Sequence, residues 1–118
     1  MDDTTTVSDL KARVKAFCEE RDWDQFHGAK DLAIGVITEA AELLEHFRFR
    51  DASESAQRLA EKREEIEAEL ADILFFIMRF AQRFDIDVAS AFEAKLQANA
   101  KRYPASKVRG RNVKYTEL

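Results

Sequence analysis

Residues Glu65–Ala81 read EIEAELADILFFIMRFA, and this stretch places acidic residues directly before the most apolar segment of the chain. At 100° per residue, Glu69 and Asp72 lie about 60° apart on one face of a helix, and Phe76 falls between them. Apolar side chains flank this stripe: Ile66, Ile73, Ile77 and Phe80. The pattern therefore predicts a helix that carries an acid pair at the edge of a core.

A second helix repeats the arrangement in LAIGVITEAAELLEHF, residues 32–47. Glu39 and Glu42 share a narrow stripe with His46, and Gly35 leaves the stripe open one turn earlier. Apolar residues cover most of the remaining circumference, which is typical of a helix buried on most sides. Four helices in 118 residues cannot easily surround two such helices, so the sequence predicts a homo-oligomer.

Four carboxylates in such surroundings repel one another and lose hydration, which a bound cation would offset. An all-oxygen site suits Mg²⁺ or Mn²⁺. The alternative is a solvated acidic face without a metal. A di-iron site is disfavoured because it requires Glu-x-x-His on two helices, and neither His27 nor His46 follows a glutamate by three residues.

Composition and periodicity predict one all-α domain over residues 1–118, a four-helix bundle with an oligomeric core. Charged residues make up 36% of the chain, and there are only three glycines and one proline. Four helical regions are expected: about 7–20, 30–49, 54–83 with an interruption near Lys62, and 88–102. A basic, irregular tail is expected over about 103–118.

The charge is unevenly distributed. Residues 94–118 carry seven basic side chains and one acidic side chain, whereas the rest of the chain is strongly acidic. A polyanionic small molecule fits this distribution better than nucleic acid, which the acidic body would repel; the alternative is a solvated tail that binds neither. The sequence has no recognisable signal peptide and no apolar run that could span a bilayer, so we expect no membrane association and a cytoplasmic location.

Four segments together resemble the MazG-like all-α nucleoside triphosphate pyrophosphohydrolases, and within them the dCTP pyrophosphatase branch. They are RDWDQFH (21–27), EAAELLEHF (39–47), the stretch quoted first, and KLQANAKRYPASKVRGRNVKY (95–115). The resemblance implies Mg²⁺-dependent cleavage of a nucleoside triphosphate, dCTP or a related pyrimidine nucleotide, to monophosphate and pyrophosphate, in nucleotide pool sanitation. The alternative is a non-catalytic, oligomeric helical interaction module.

The resemblance also implies roles for individual residues. The metal ligands would be Glu39, Glu42, Glu69 and Asp72, and Glu42 or Glu45 would activate the attacking water. Base and sugar contacts would come from Trp23, Gln25, His27, Phe49 and Phe76, whereas Phe26 would only pack. Lys95, Asn99, Lys101 and Tyr103 would hold the triphosphate. A homotetramer is favoured, and a dimer is the alternative.

Two aromatic positions depart from the family pattern. Phe49 stands where the family often has Trp, and Phe76 stands where it often has Tyr. Both substitutions remove a hydrogen-bond donor from the expected base pocket, so they weaken the inference to dCTP but leave the metal site and the reaction unaffected.

Overall fold

A computed structural model describes residues 1–118, and all of its regular structure is helical, which confirms the all-α prediction. The α-helices are α1 (Val7–Glu20), α2 (Ala29–Glu45), α3 (Ala52–Glu61), α4 (Arg63–Arg83), α5 (Val88–Arg102) and α6 (Ala105–Val108). Short 3₁₀ turns cover Asp24–Phe26 and Tyr115–Glu117. No helix combines the length and the hydropathy that a membrane span requires.

The prediction of four helices was wrong in number, because there are six. The interruption expected near Lys62 is confirmed: the backbone leaves the helical region there, with φ of −117° and ψ of 30°, and the break separates α3 from α4. The sixth helix is the four-residue α6, in the segment for which an irregular tail was expected; it begins where the amides of Lys107 and Val108 donate to the Pro104 carbonyl.

Helix α2 is shorter than predicted, ending at Glu45 instead of near Phe49. Phe49 adopts a left-handed conformation with φ of 65°, which a bulky residue rarely does and which is incompatible with a continuing helix. Two residues later, the Asp51 side chain accepts a hydrogen bond from the Glu54 amide and begins α3. The chain therefore turns sharply between α2 and α3.

Side-chain caps begin α1 and α5. Thr6 forms a reciprocal capping box with Asp9 at the start of α1. The Asp87 carboxylate accepts from the Ser90 amide at the start of α5. Helix α5 ends at Arg102, because Tyr103 precedes Pro104 and residues before proline disfavour the α conformation.

The chain forms two compact units, Met1–Asp85 and Ile86–Leu118. In the first unit, α4 packs against α1, α2 and α3. Its buried apolar residues are Cys18, Leu32, Ile66, Met78 and Ala81. In the second unit, the ring of Tyr115 meets Tyr103 edge-on at 5.9 Å and lies 5.1 Å from the Arg102 guanidinium carbon.

Helix α2 exposes an apolar stripe on the first unit. Ile34, Ile37 and Leu44 recur at helical spacing, and Ile37 is 70% exposed. The sequence predicts burial for these positions, but the single chain does not bury them. Helix α4 also exposes apolar side chains, namely Leu70, Leu74 and Ile77.

Helices α2 and α4 approach closely at Gly35. A β-carbon on Gly35 would lie 2.4 Å from the nearest ring atom of Phe76, so only glycine fits. The space that the sequence predicts to be open beside the carboxylates is therefore filled by the Phe76 ring. This contact lies one helical turn from Glu39 on α2 and one turn from Asp72 on α4.

We expect Gly35→Ala to destabilise the protein by roughly 1–3 kcal/mol, because the added methyl group overpacks the contact with Phe76. In a Phe76→Ala background the same substitution should instead stabilise, by up to about 1 kcal/mol, because alanine has the higher helix propensity. Denaturant unfolding of the four proteins of this cycle measures both effects. The same sign in both backgrounds would contradict the close contact.

Candidate active site

Four carboxylates converge where α2 and α4 pack together. One oxygen from each of Glu39, Glu42, Glu69 and Asp72 lies within 4.8 Å of the others. Because Gly35 meets Phe76 and His46 meets Glu69, the two helices run antiparallel, and each contributes its i, i+3 acid pair to the same place. The structure thus brings together the four residues that the sequence singles out as metal ligands.

Burial and neighbouring negative charges raise the pKa values of two glutamates in the cluster. Burial raises the pKa of Glu39, and the neighbouring carboxylates of Glu42, Asp72 and Glu69 raise it further. Burial and Glu42 also raise the pKa of Glu69, whereas His46 acts in the opposite direction. Both glutamates would bind a proton, or a cation in its place, more readily than an exposed glutamate.

Two atoms in the cluster have no hydrogen-bond partner. Oε2 of Glu39 and Oε2 of Glu69 are both buried and both unpaired within the protein. Buried acceptors are almost always satisfied in folded proteins, so these two oxygens are available to a water or to a bound cation. A divalent cation with a preference for oxygen fits this donor set, since no nitrogen or sulfur lies among the four converging groups.

His46 adjoins this cluster and was assigned no role from the sequence. It is buried, and its Nε2 lies 3.7 Å from Oε1 of Glu69. Arg58 on α3 donates to its Nδ1 at 3.4 Å, which leaves the proton of the neutral ring on Nε2, facing Glu69. The helical spacing of His46 from Glu39 and Glu42 places it on the same stripe, and this spacing could have indicated a role beside the cluster.

The two candidate general bases differ in their surroundings. Glu42 belongs to the carboxylate cluster. Glu45 is exposed, and its Oε1 lies 3.4 Å from Nη1 of Arg48 in an ion pair.

The loop between α1 and α2 holds Trp23 and His27 beside each other. The Trp23 ring packs edge-on against Phe17, with centroids 5.7 Å apart, and against His27 at 6.1 Å. Trp23 remains partly exposed. Gln25 is tied down within the loop, because its Nε2 donates to the carbonyl and the carboxylate of Asp22.

The phenylalanines Phe26, Phe49 and Phe76 differ from one another in their exposure to solvent. Phe26 is exposed, so the expectation that it packs was wrong; the 3₁₀ turn directs it outward. Phe49 is 90% exposed, with the Arg48 guanidinium carbon 4.6 Å from the centre of its ring. Phe76 is half-buried against Gly35 and Phe75. Only Phe76 of these three lies beside the carboxylate stripe.

The candidate triphosphate-binding residues belong to the second unit. Lys95 and Asn99 lie one turn apart on α5, and Lys101 is in its last turn. Tyr103 follows the helix, and its amide donates to the Asn99 carbonyl at 2.8 Å. Lys95 and Lys101 are exposed, so their ammonium groups are available to an anion.

Comparison with known proteins agrees with this geometry. Residues 34–118 match the model of the MazG-like family. The chain belongs to this family. Bovine and human dCTP pyrophosphatase 1 are each 34% identical to it over 115 residues, which is 96% of this chain and 68% of theirs. A solved pyrophosphatase structure from Archaeoglobus fulgidus superposes with a TM-score of 0.79 at 31% identity, covering 82% of this chain and 91% of that one.

Family membership settles the enzyme class. The chain is a nucleotide pyrophosphohydrolase, and the alternative hypothesis of a non-catalytic interaction module is therefore rejected. An acidic cluster of the kind that binds divalent metals accompanies this assignment in the structure.

The carboxylate cluster predicts how stability responds to metal. Mg²⁺ or Mn²⁺ at 100 times its dissociation constant should add about 2.7 kcal/mol to the free energy of unfolding. Glu39→Gln should lose most of this gain, but in chelator its melting temperature should equal or exceed that of the wild type, because repulsion within the cluster falls. Thermal unfolding with and without metal measures both effects.

Glu64→Gln is the control for this experiment, since Glu64 is an exposed glutamate on α4, the other helix that contributes to the cluster, and lies outside the cluster. It should keep the full metal response. An equal response in Glu39→Gln and Glu64→Gln would contradict a metal site at the cluster.

Proposed function

We propose that the enzyme hydrolyses a pyrimidine deoxynucleoside triphosphate between the α- and β-phosphates, with Mg²⁺ as cofactor, releasing the monophosphate and pyrophosphate. The observation that carries this proposal is the convergence of four carboxylates with two buried, unpaired oxygens. Mn²⁺ is the alternative metal. The role of the enzyme would be nucleotide pool sanitation in the cytoplasm.

The four clustered carboxylates would hold the metal: Glu39, Glu42, Glu69 and Asp72. The metal supplies charge neutralisation on the triphosphate oxygens and lowers the pKa of an attacking water. Glu42 is the preferred general base, because Glu45 is engaged by Arg48. Glu45 remains the second candidate.

The remaining residues bind the substrate in this proposal. Trp23 stacks on the base and His27 contacts its edge, while Gln25 shapes the loop that holds them. Phe76 closes the pocket beside the carboxylates, and Phe49 offers an exposed ring for stacking. Lys95, Asn99, Lys101 and Tyr103 bind phosphate oxygens through charge-assisted and neutral hydrogen bonds. Among substrates dCTP leads, in keeping with the relatives' name, followed by dUTP, dTTP and modified cytosine nucleotides.

The reaction is tested with the purified enzyme, Mg²⁺ and a panel of natural and modified triphosphates, with chromatographic identification of products. We expect a monophosphate and pyrophosphate, with the highest kcat/KM for a pyrimidine deoxynucleotide. Orthophosphate together with a diphosphate would show attack at the γ-phosphorus and contradict the proposed cleavage.

The loop aromatics provide a second test. Trp23→Ala should weaken nucleotide binding by about 1–3 kcal/mol through lost stacking, seen as a higher KM. Phe26→Ala is the matched control, since Phe26 is an exposed ring in the same loop. Equal KM values for the two variants would show that Trp23 only packs within the protein and does not stack on the base.

The exposed apolar stripes support an oligomer, which we propose is a tetramer, with a dimer as the alternative. Ile34, Ile37 and Leu44 would be covered by another copy of the chain. Light scattering over a dilution series should give a mass several times 13.6 kDa, and Ile37→Lys should reduce it. A stable wild-type monomer at micromolar concentration would refute this proposal.

A further inference from the structure

A fully buried arginine on α4 joins the helix to the α1–α2 loop. The Arg79 Nε donates to Nδ1 of His27 at 2.9 Å, Nη1 donates to Oε1 of Gln82 at 2.6 Å, and Nη2 donates to the Asp24 carboxylate. Burying a guanidinium is costly unless its charge and its donors are matched, and here each of its nitrogens has an acceptor. The loop is therefore anchored at Asp24 and at His27 by one side chain.

The contact with Arg79 determines the protonation of His27. A guanidinium can only donate, so Nδ1 of His27 must accept, and the proton of the neutral ring lies on Nε2. No protein group accepts from this Nε2, which is left as a free donor. Burial and Arg79 lower the pKa of His27.

The other charged groups around His27 are Asp24 in the loop, Asp31 at the start of α2, and Arg83 one turn beyond Arg79. Asp31 accepts from the Gly28 amide at 3.2 Å, and Asp24 is paired with Arg79. Both acids favour a charged imidazole, but burial and the two arginines oppose it, and burial is the largest effect.

Arg79 also shares a stripe of α4 with the candidate metal ligands. Asp72, Phe76 and Arg79 recur at i, i+4 and i+7, so the arginine lies about 10 Å along the helix axis from Asp72. The carboxylates and the loop are thus separated by a distance on the scale of a nucleotide, with its phosphates at one end and its base at the other.

We propose that Arg79 is a positioning residue for base recognition: it holds His27 as the neutral Nε2–H tautomer, so that the loop presents one fixed hydrogen-bond donor to the substrate. This donor pairs with an acceptor atom at the matching position of the base edge, such as the O2 carbonyl shared by pyrimidines, and disfavours a base that places a donor there. The opposite tautomer would present an acceptor and favour an exocyclic amine instead. The inference deepens the proposed function and rests on its contact between His27 and the base.

The tautomer is tested directly by ¹⁵N NMR of the imidazole nitrogens in the intact wild-type enzyme. The chain has two histidines, so His27→Gln assigns the signals. We expect His27 to show an unprotonated Nδ1 and a protonated Nε2, with no titration near its ordinary pKa of 6.5. A protonated Nδ1 or an ordinary titration in the wild type would overturn the proposal without bearing on the reaction.

The functional consequence is tested with Arg79→Met and Arg79→Lys. Both substitutions should remove the hydrogen bond that fixes the tautomer of His27. KM should then rise roughly 2- to 12-fold, as for one lost hydrogen bond, and kcat should change little. For Arg79→Met, the pH profile of kcat/KM should show an ionisation of His27 at higher pH than in the wild type, because loss of the guanidinium charge raises the pKa of His27 while its burial remains. Arg79→Lys retains a positive charge beside Asp24, so it serves if the methionine variant fails to fold.

Gln82→Ala is the matched control, because it removes an acceptor of Arg79 but leaves the bond to His27. It should keep the wild-type tautomer, KM and pH profile. If the arginine variants change the tautomer while KM and the profile stay constant, the proposed recognition is wrong although the pyrophosphohydrolase reaction stands. If the wild type hydrolyses no nucleotide, the proposed function fails, and the role of Arg79 in recognition fails with it.

Discussion

Mutual repulsion among four carboxylates is the constraint on which the rest of the structure depends. Glu39, Glu42, Glu69 and Asp72 meet within 4.8 Å, and burial makes the ionised forms of Glu39 and Glu69 still less favourable. The close approach of Gly35 to Phe76 holds α2 against α4 despite this cost. A bound divalent cation would turn the repulsion into attraction, so the same arrangement that weakens the metal-free protein creates its affinity for metal.

Helix α4 links the parts of the candidate active site. It carries two of the clustered carboxylates at Glu69 and Asp72, packs Phe76 against α2, and anchors the α1–α2 loop through Arg79. Each histidine of the chain accepts at Nδ1 from an arginine, so both imidazoles are oriented by buried or partly buried guanidinium groups. Orientation of functional side chains by such outer contacts is common in metal enzymes.

Much of this arrangement could be predicted from helical spacing and caps, which are local. The acid pairs, the Thr6 and Asp87 caps and the limits of α5 all follow from residues within two turns of each other. The roles of Arg79 and His46 could not be predicted in this way, since Arg79 meets His27 across 52 positions of sequence. The early end of α2 also escaped prediction, because a left-handed phenylalanine at position 49 contradicts its intrinsic preference.

The central claim is that the clustered carboxylates form one metal site, and Mn²⁺ binding followed by electron paramagnetic resonance tests it most directly. Free Mn²⁺ gives the signal, so its loss on titration measures binding to the intact enzyme without any substrate. We predict saturable binding to the wild type that is strongly weakened by Glu69→Gln and unchanged by Glu67→Gln, an exposed position on the same helix. Equal Mn²⁺ binding by the wild type and both variants would contradict the account.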